Sequence, residues 1–185
     1  MRLKKHKKAF TLVELLVVIA IIAILSAIIA PKAFTAIEKS KVSRTINDMK
    51  VFKTAALQYY ADVGSFPGDV NEGKDPGFGI TPSSLPNGWN GPYLDAPLSK
   101  KTAWSGTYDY ESWAPTTDGS NNNANGVKAG IYITIHGVTE KGAEQLIKQS
   151  PFEVAVGNGN PNGIQSDDVY PGKKKVTLKI SDWLY

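Results

Sequence analysis

The residues best placed to do chemistry lie at the start of the chain, where a cationic run Lys4-Lys5-His6-Lys7-Lys8 leads through Ala9 into Phe10-Thr11-Leu12-Val13-Glu14. From Phe10 to Ala30 only Thr11, Glu14 and Ser26 are polar. Helical geometry makes that run about 32 Å long, enough to cross a bilayer core of roughly 30 Å. A carboxylate inside such a segment costs about 2.5–3.5 kcal/mol on insertion scales, so Glu14 marks a functional position with a partner. An ordinary secretory signal does not fit. Its apolar region is usually about 7–15 residues and ends at a small-x-small cut site, whereas this run is longer and carries an early acid.

Elsewhere, groups suited to catalysis are scarce. The chain has no cysteine and two histidines, His6 in the basic run and His136 within an alternating apolar segment. Zinc sites and Cys/His or Ser-His-Asp catalysis are therefore not expected, no phosphate-binding glycine motif is present, and the chain reads as a non-enzyme. His136 is expected at a strand surface or edge. One loop has the spacing of metal ligands: Asn158, Asn160 and Asn162 alternate before Gly163, as an EF-hand loop begins, with Asp167 and Asp168 following. Val169 stands where that motif has its bidentate glutamate. A plain Asn/Gly turn explains the same residues, and Ca2+ is carried as an expectation alongside it.

The N-terminal arrangement resembles the type IV pilin and pseudopilin family, on Lys7-Lys8-Ala9 followed by Phe10-Thr11-Leu12-Val13-Glu14-Leu15-Leu16. The resemblance implies that a prepilin peptidase cuts between Ala9 and Phe10, that the Phe10 amine is N-methylated, and that Glu14 and Phe10 serve assembly. Ala9 departs from the glycine usual before the cut, but is small enough for processing to be expected. A charged amine at Phe10 one turn from Glu14 could pair with a neighbouring subunit's acid. It could also pair with Glu14 of its own chain, or Glu14 could reach the membrane interface. The implied partners are other pilin-like subunits in a homopolymer, the peptidase, an inner-membrane assembly platform, and the lipid bilayer before assembly. The implied location is the bacterial inner membrane as a single-pass subunit with its head outside the cytoplasm, then a filament at the cell surface or in the periplasm. The leading expectation is a structural subunit of a type IV pilus-like filament. The alternatives are a type II secretion pseudopilin and a membrane-tethered monomeric binding module.

Charge does not point to nucleic acid. The formal +4 includes five cations within residues 1–9 (Arg2, Lys4, Lys5, Lys7, Lys8); removing them leaves 16 basic and 17 acidic residues, a net −1. Lys173-Lys174-Lys175 reads as a solvated turn.

These groups have to be positioned by a small set of elements. The expected class is α+β: one long N-terminal helix packed on a small antiparallel sheet. Residues 1–9 read as a leader, 10–31 as the transmembrane and polymerisation helix, 32–62 as the amphipathic half of the same helix, and 63–185 as the head. Pro31 lacks an amide hydrogen and is expected to kink or locally unwind the helix at the membrane edge. Beyond it Phe34, Ile37, Val42, Ile46, Met49, Phe52, Ala56 and Tyr60 form a stripe, and Gly64 with Pro67 should end the helix. Within the head, 63–106 holds an irregular helix-to-sheet connection; residues 64–100 alone contain seven glycines and six prolines. Residues 107–185 should carry strands at Thr107–Trp113, at Ile131, Ile133 and Ile135, at Phe152, Val154 and Val156, and at Val176, Leu178 and Ile180. A short helix over Glu140–Gln149 is expected, capped by Thr139. Asp62–Pro67 and Trp89–Leu94 are similar to the major pseudopilin of type II secretion.

Overall fold

A computed structural model describes residues 10–98, 101–114, 127–156 and 162–182. Its elements in chain order are α1 (Leu12–Val63), β1 (Tyr108–Trp113), β2 (Gly130–Val138), α2 (Glu140–Gln149), β3 (Ile164–Ser166) and β4 (Lys174–Asp182). The strands form one antiparallel sheet in the order β1-β2-β4-β3. The chain divides into two compact units, Met1–Glu38 and Lys39–Tyr185.

In the first unit α1 exposes its apolar side chains all round. Pro31 lies inside the helix, with helical geometry on both sides of it. Thr35 Oγ1 donates to the Pro31 carbonyl at 3.0 Å.

In the second unit the C-terminal part of α1 buries Val42, Thr45, Met49, Phe52, Ala55, Ala56 and Tyr59. The spacing of three to four residues places these on one stripe. Tyr59, rather than the expected Tyr60, is the last fully buried ring; Tyr60 is partly covered and packs on Phe66. Facing the stripe, the inward side chains of the sheet are Tyr108, Tyr110, Ile131, Ile133, Ile135, Val176, Leu178 and Ile180. Burying each large apolar side chain contributes about 1.5–3 kcal/mol. Phe52 meets Tyr108 edge-on at 4.9 Å, and Tyr108 Oη donates to Asp48 at 2.9 Å, so the ring's polar end is satisfied on the helix it packs against. Gly64, with φ +83°, follows the last helical residue and accommodates the left-handed exit.

The connection from helix to sheet is irregular but well tied. Asp75 Oδ1 accepts from the amides of Gly77, Phe78 and Gly79 at 2.8, 2.6 and 3.1 Å. Its Oδ2 accepts from Leu98 at 2.6 Å, drawing the far end of the loop back. One carboxylate thus satisfies backbone donors that no ladder serves. Phe78, Leu94 and Leu98 from this loop join the core. Trp89 Nε1 donates to the Gly77 carbonyl, and Tyr93 Oη to Asp62 near the helix end.

Two expectations about the strands need correction. Residues 152–156 do not form a full strand: Val154 makes an isolated bridge to Leu178, and the strand lies instead at Ile164–Ser166, paired with Lys174–Val176. The outer edge of β4 is therefore shared between two short segments. They meet where Gly163, at φ +70°, has no room for a side chain: a Cβ there would sit 2.1 Å from Val154 Cγ1. The second correction is His136, which is 3% exposed rather than on a surface or edge. β2 is central in the sheet and every one of its residues is buried.

Candidate functional site

At the N-terminus, Phe10 precedes the helix and is 84% exposed. Ala9 lies outside the described residues. Thr11 takes the N-cap position and Glu14 sits on the first turn. Glu14 Oε2 accepts from both the Thr11 amide and the Thr11 hydroxyl at 2.8 Å, and the Glu14 amide donates back to Thr11 Oγ1 at 3.2 Å. This reciprocal pattern is a capping box; it satisfies amides that the helix start leaves without partners. The carboxylate that looked unpartnered in the sequence is held by its own first turn. The sequence reading missed Thr11 in this role, although Thr-x-x-Glu ahead of an apolar run is the signal for it.

From Leu12 onward the helix has an 18-residue window of mean hydropathy 3.1, none of it buried within the chain. Among the described residues it is the one helix long and apolar enough to cross a membrane. Its exposed large side chains include Leu15, Leu16, Ile21, Ile22 and Ile29. Such a surface is compatible with lipid or with like helices, and costly in water.

A second polar cluster sits on the far face of the sheet from α1. His136 Nδ1 lies 3.1 Å from Asp167 Oδ1, and both side chains are buried. Asp167 also accepts from the Gly137 amide on Oδ2 at 2.7 Å, and from Val169 and Tyr170 on Oδ1 at 3.0 and 3.1 Å. Burial pushes the Asp167 carboxyl up, but the Gly137 amide, the His136 ring and the Val169 and Tyr170 amides outweigh it and hold it below the ordinary carboxylate range. Asp168 is exposed and pairs with Lys175 at 2.5 Å. Of the other residues in the expected calcium loop, Asn158 and Asn160 lie outside the described residues, and Asn162 is exposed. The lysine triple is not a free turn: Lys174 opens β4 and lies 3.6 Å from Glu140.

On β1, Asp109 and Glu111 share this face. Burial, then the neighbouring charge of Glu111, raises the Asp109 carboxyl to about 7. Burial and Asp69 raise Glu111 in the same direction, opposed by hydrogen bonds from Thr134 and Trp113. Nothing in the sequence marked Asp109 or His136, because their environments are made by strand order.

Comparison with known proteins bears on the N-terminal helix and on the region that follows it. Residues 4–30 match the prokaryotic N-terminal methylation motif, and residues 36–128, half of the chain, match the PilW C-terminal family. The chain is 43% identical over 67 residues to fimbrial protein EcpC of Eikenella corrodens, covering 36% of this chain and 44% of that protein. It is 39% identical over 83 residues to the type IV major fimbrial protein FimA of Dichelobacter nodosus, covering 45% and 49%. To type II secretion system core protein G of Pseudomonas aeruginosa it is 29% identical over 123 residues, covering 63% and 80%. The matched region thus spans about half the length of the two fimbrial relatives. No solved structure matches.

Proposed function

This chain belongs to the PilW C-terminal family and, through its N-terminal methylation motif, to the type IV pilin and pseudopilin class; from that premise we propose that it is a structural, non-enzymatic subunit of a type IV pilus-like filament. Prepilin peptidase cuts between Ala9 and Phe10, and the new Phe10 amine is N-methylated. The subunit waits in the inner membrane with its head outside, and an assembly platform draws it into the polymer. The observation that carries this reading is a carboxylate at Glu14 at the head of the exposed apolar stretch that begins α1.

The geometry suggests how the pairing works. Both Thr11 donors fall on Oε2 of Glu14, so the cap uses one carboxylate oxygen. Oε1 can then receive the Phe10 amine of the next subunit without dismantling the helix start. A contact from one subunit's amine to its neighbour's acid is heterologous, and repeating it with a rotation that does not close yields an open helical polymer. The charges that are costly in lipid are compensated in the assembly.

Protein G of type II secretion favours a second reading, a pseudopilin acting in protein export, because that match covers 80% of the relative. Both readings use the same N-terminal device. The test is Glu14→Ala, with sheared filaments viewed by electron microscopy and the N-terminus read by mass spectrometry. Filaments should fall at least tenfold while the subunit still reaches the membrane; normal filaments in the variant would remove the pairing.

A further inference from the structure

Three potential ligand groups from two parts of the head converge on the sheet face opposite α1. His136 comes from the central strand β2, and Asp167 and Asp168 from the turn after β3. One donor atom from each lies within 4.8 Å of the other two. We propose that His136 Nδ1, Asp167 and Asp168 bind a borderline divalent transition ion, with Zn2+ as the fitting occupant, and that the ion ties the C-terminal turn to the sheet centre.

Zinc bonds to nitrogen and oxygen are about 2.0–2.1 Å, so two ligands at a tetrahedral angle sit about 3.3 Å apart. His136 Nδ1 and Asp167 Oδ1 are already 3.1 Å apart, and a few tenths of an ångström would open the space. Binding replaces the proton shared between them. The turn need not refold, because Asp167 keeps the amides of Gly137, Val169 and Tyr170. Asp168 gives the site an opening, since it is exposed and its ion pair is with the Lys175 ammonium at 2.5 Å. That ammonium marks where a cation is wanted and would swing to solvent as the ion enters, with water completing the fourth position.

Metal-bound imidazoles donate their second N–H to a carboxylate, a backbone carbonyl or water. Asp109, on the same face of the sheet, has its Oδ1 buried without a hydrogen-bond partner among the described residues. The imidazole also distinguishes this site from the calcium expected of the Asn-rich loop, because calcium takes oxygen ligands whereas imidazole suits zinc, cobalt and nickel.

The experiment uses the full chain in detergent, stripped of metal, with Zn2+ or Co2+ alone as the probe. At about a hundredfold excess over Kd the melting temperature should rise by about 5–10 °C, and Co2+ should give visible absorption of a low-coordinate site. Asp168→Asn, exposed and tolerable to the fold, should lose most of the rise, as should His136→Gln if it folds. His6→Gln should keep it. No rise in the unsubstituted chain overturns the proposal, as does an equal rise in Asp168→Asn. A rise with Ca2+ but not with Zn2+ or Co2+ overturns the imidazole's part in it.

Discussion

Asp109 and Asp167 occupy one face of one sheet and are pushed in opposite directions, so their effects on stability have opposite signs. Asp167 has a folded pKa below its unfolded value. Its contribution is complete above the unfolded carboxylate range and is lost as pH falls through the folded value. Asp109, raised to about 7 by burial first and by Glu111 next, does the reverse. Between about pH 4 and 7 the unfolded chain has already released that proton while the folded chain still holds it, and the resulting penalty is fully developed above pH 7. Asp109→Asn should therefore stabilise the head at pH 8 by an amount on the order of 1 kcal/mol, less than the full shift implies because solvent reaches part of the side chain. Near pH 4 the same substitution should change little. Urea unfolding at the two pH values reads this directly, and a substitution effect independent of pH would show that Asp109 is not the group responsible.

At the scale of elements, local signals carried far and tertiary ones did not. Residues Glu140–Gln149 form α2 with the expected bounds, and the Thr139 hydroxyl accepts from the Gly142 amide at 3.1 Å. Everything needed for that helix sits within four residues of its start. Thr139→Ala should cost about 1 kcal/mol in equilibrium unfolding, while Thr139→Ser should be nearly silent. β1, β2 and β4 were legible from alternation, but β3 has only three residues, Ile164, Gln165 and Ser166, too few to show a period. Val154 failed as a strand centre because Gly163 and β3 claim the rest of the β4 edge. His136 was misplaced for a related reason: alternation assigns a side chain to a face, and only the order β1-β2-β4-β3 decides whether that face is covered. Glu14 was legible from its composition context; Thr11 as its holder needed the capping pattern to be weighed against the membrane one.

For the whole molecule, the two compact units rest on different solvents. The head, Lys39–Tyr185, has its own core built from one stripe of α1, the inner sheet face and the loop residues Phe78, Leu94 and Leu98. Among its described residues the unit before it buries no large apolar side chain within the chain, a surface suited to bilayer or to neighbouring helices. Substitutions should then separate cleanly. Phe52→Ala removes a ring that is 5% exposed and edge-on to Tyr108, which should cost about 3–5 kcal/mol and lower the melting temperature of the head by about 10 °C. Ile22→Ala removes a side chain that is 55% exposed, so in detergent it should leave that melting temperature unchanged while reducing the yield of filaments. Calorimetry of the two full-length variants, alongside a count of sheared filaments from each, tests the division. If Ile22→Ala also lowered the head transition by several degrees, the apolar helix would be part of the folding unit rather than a surface reserved for lipid and for like subunits.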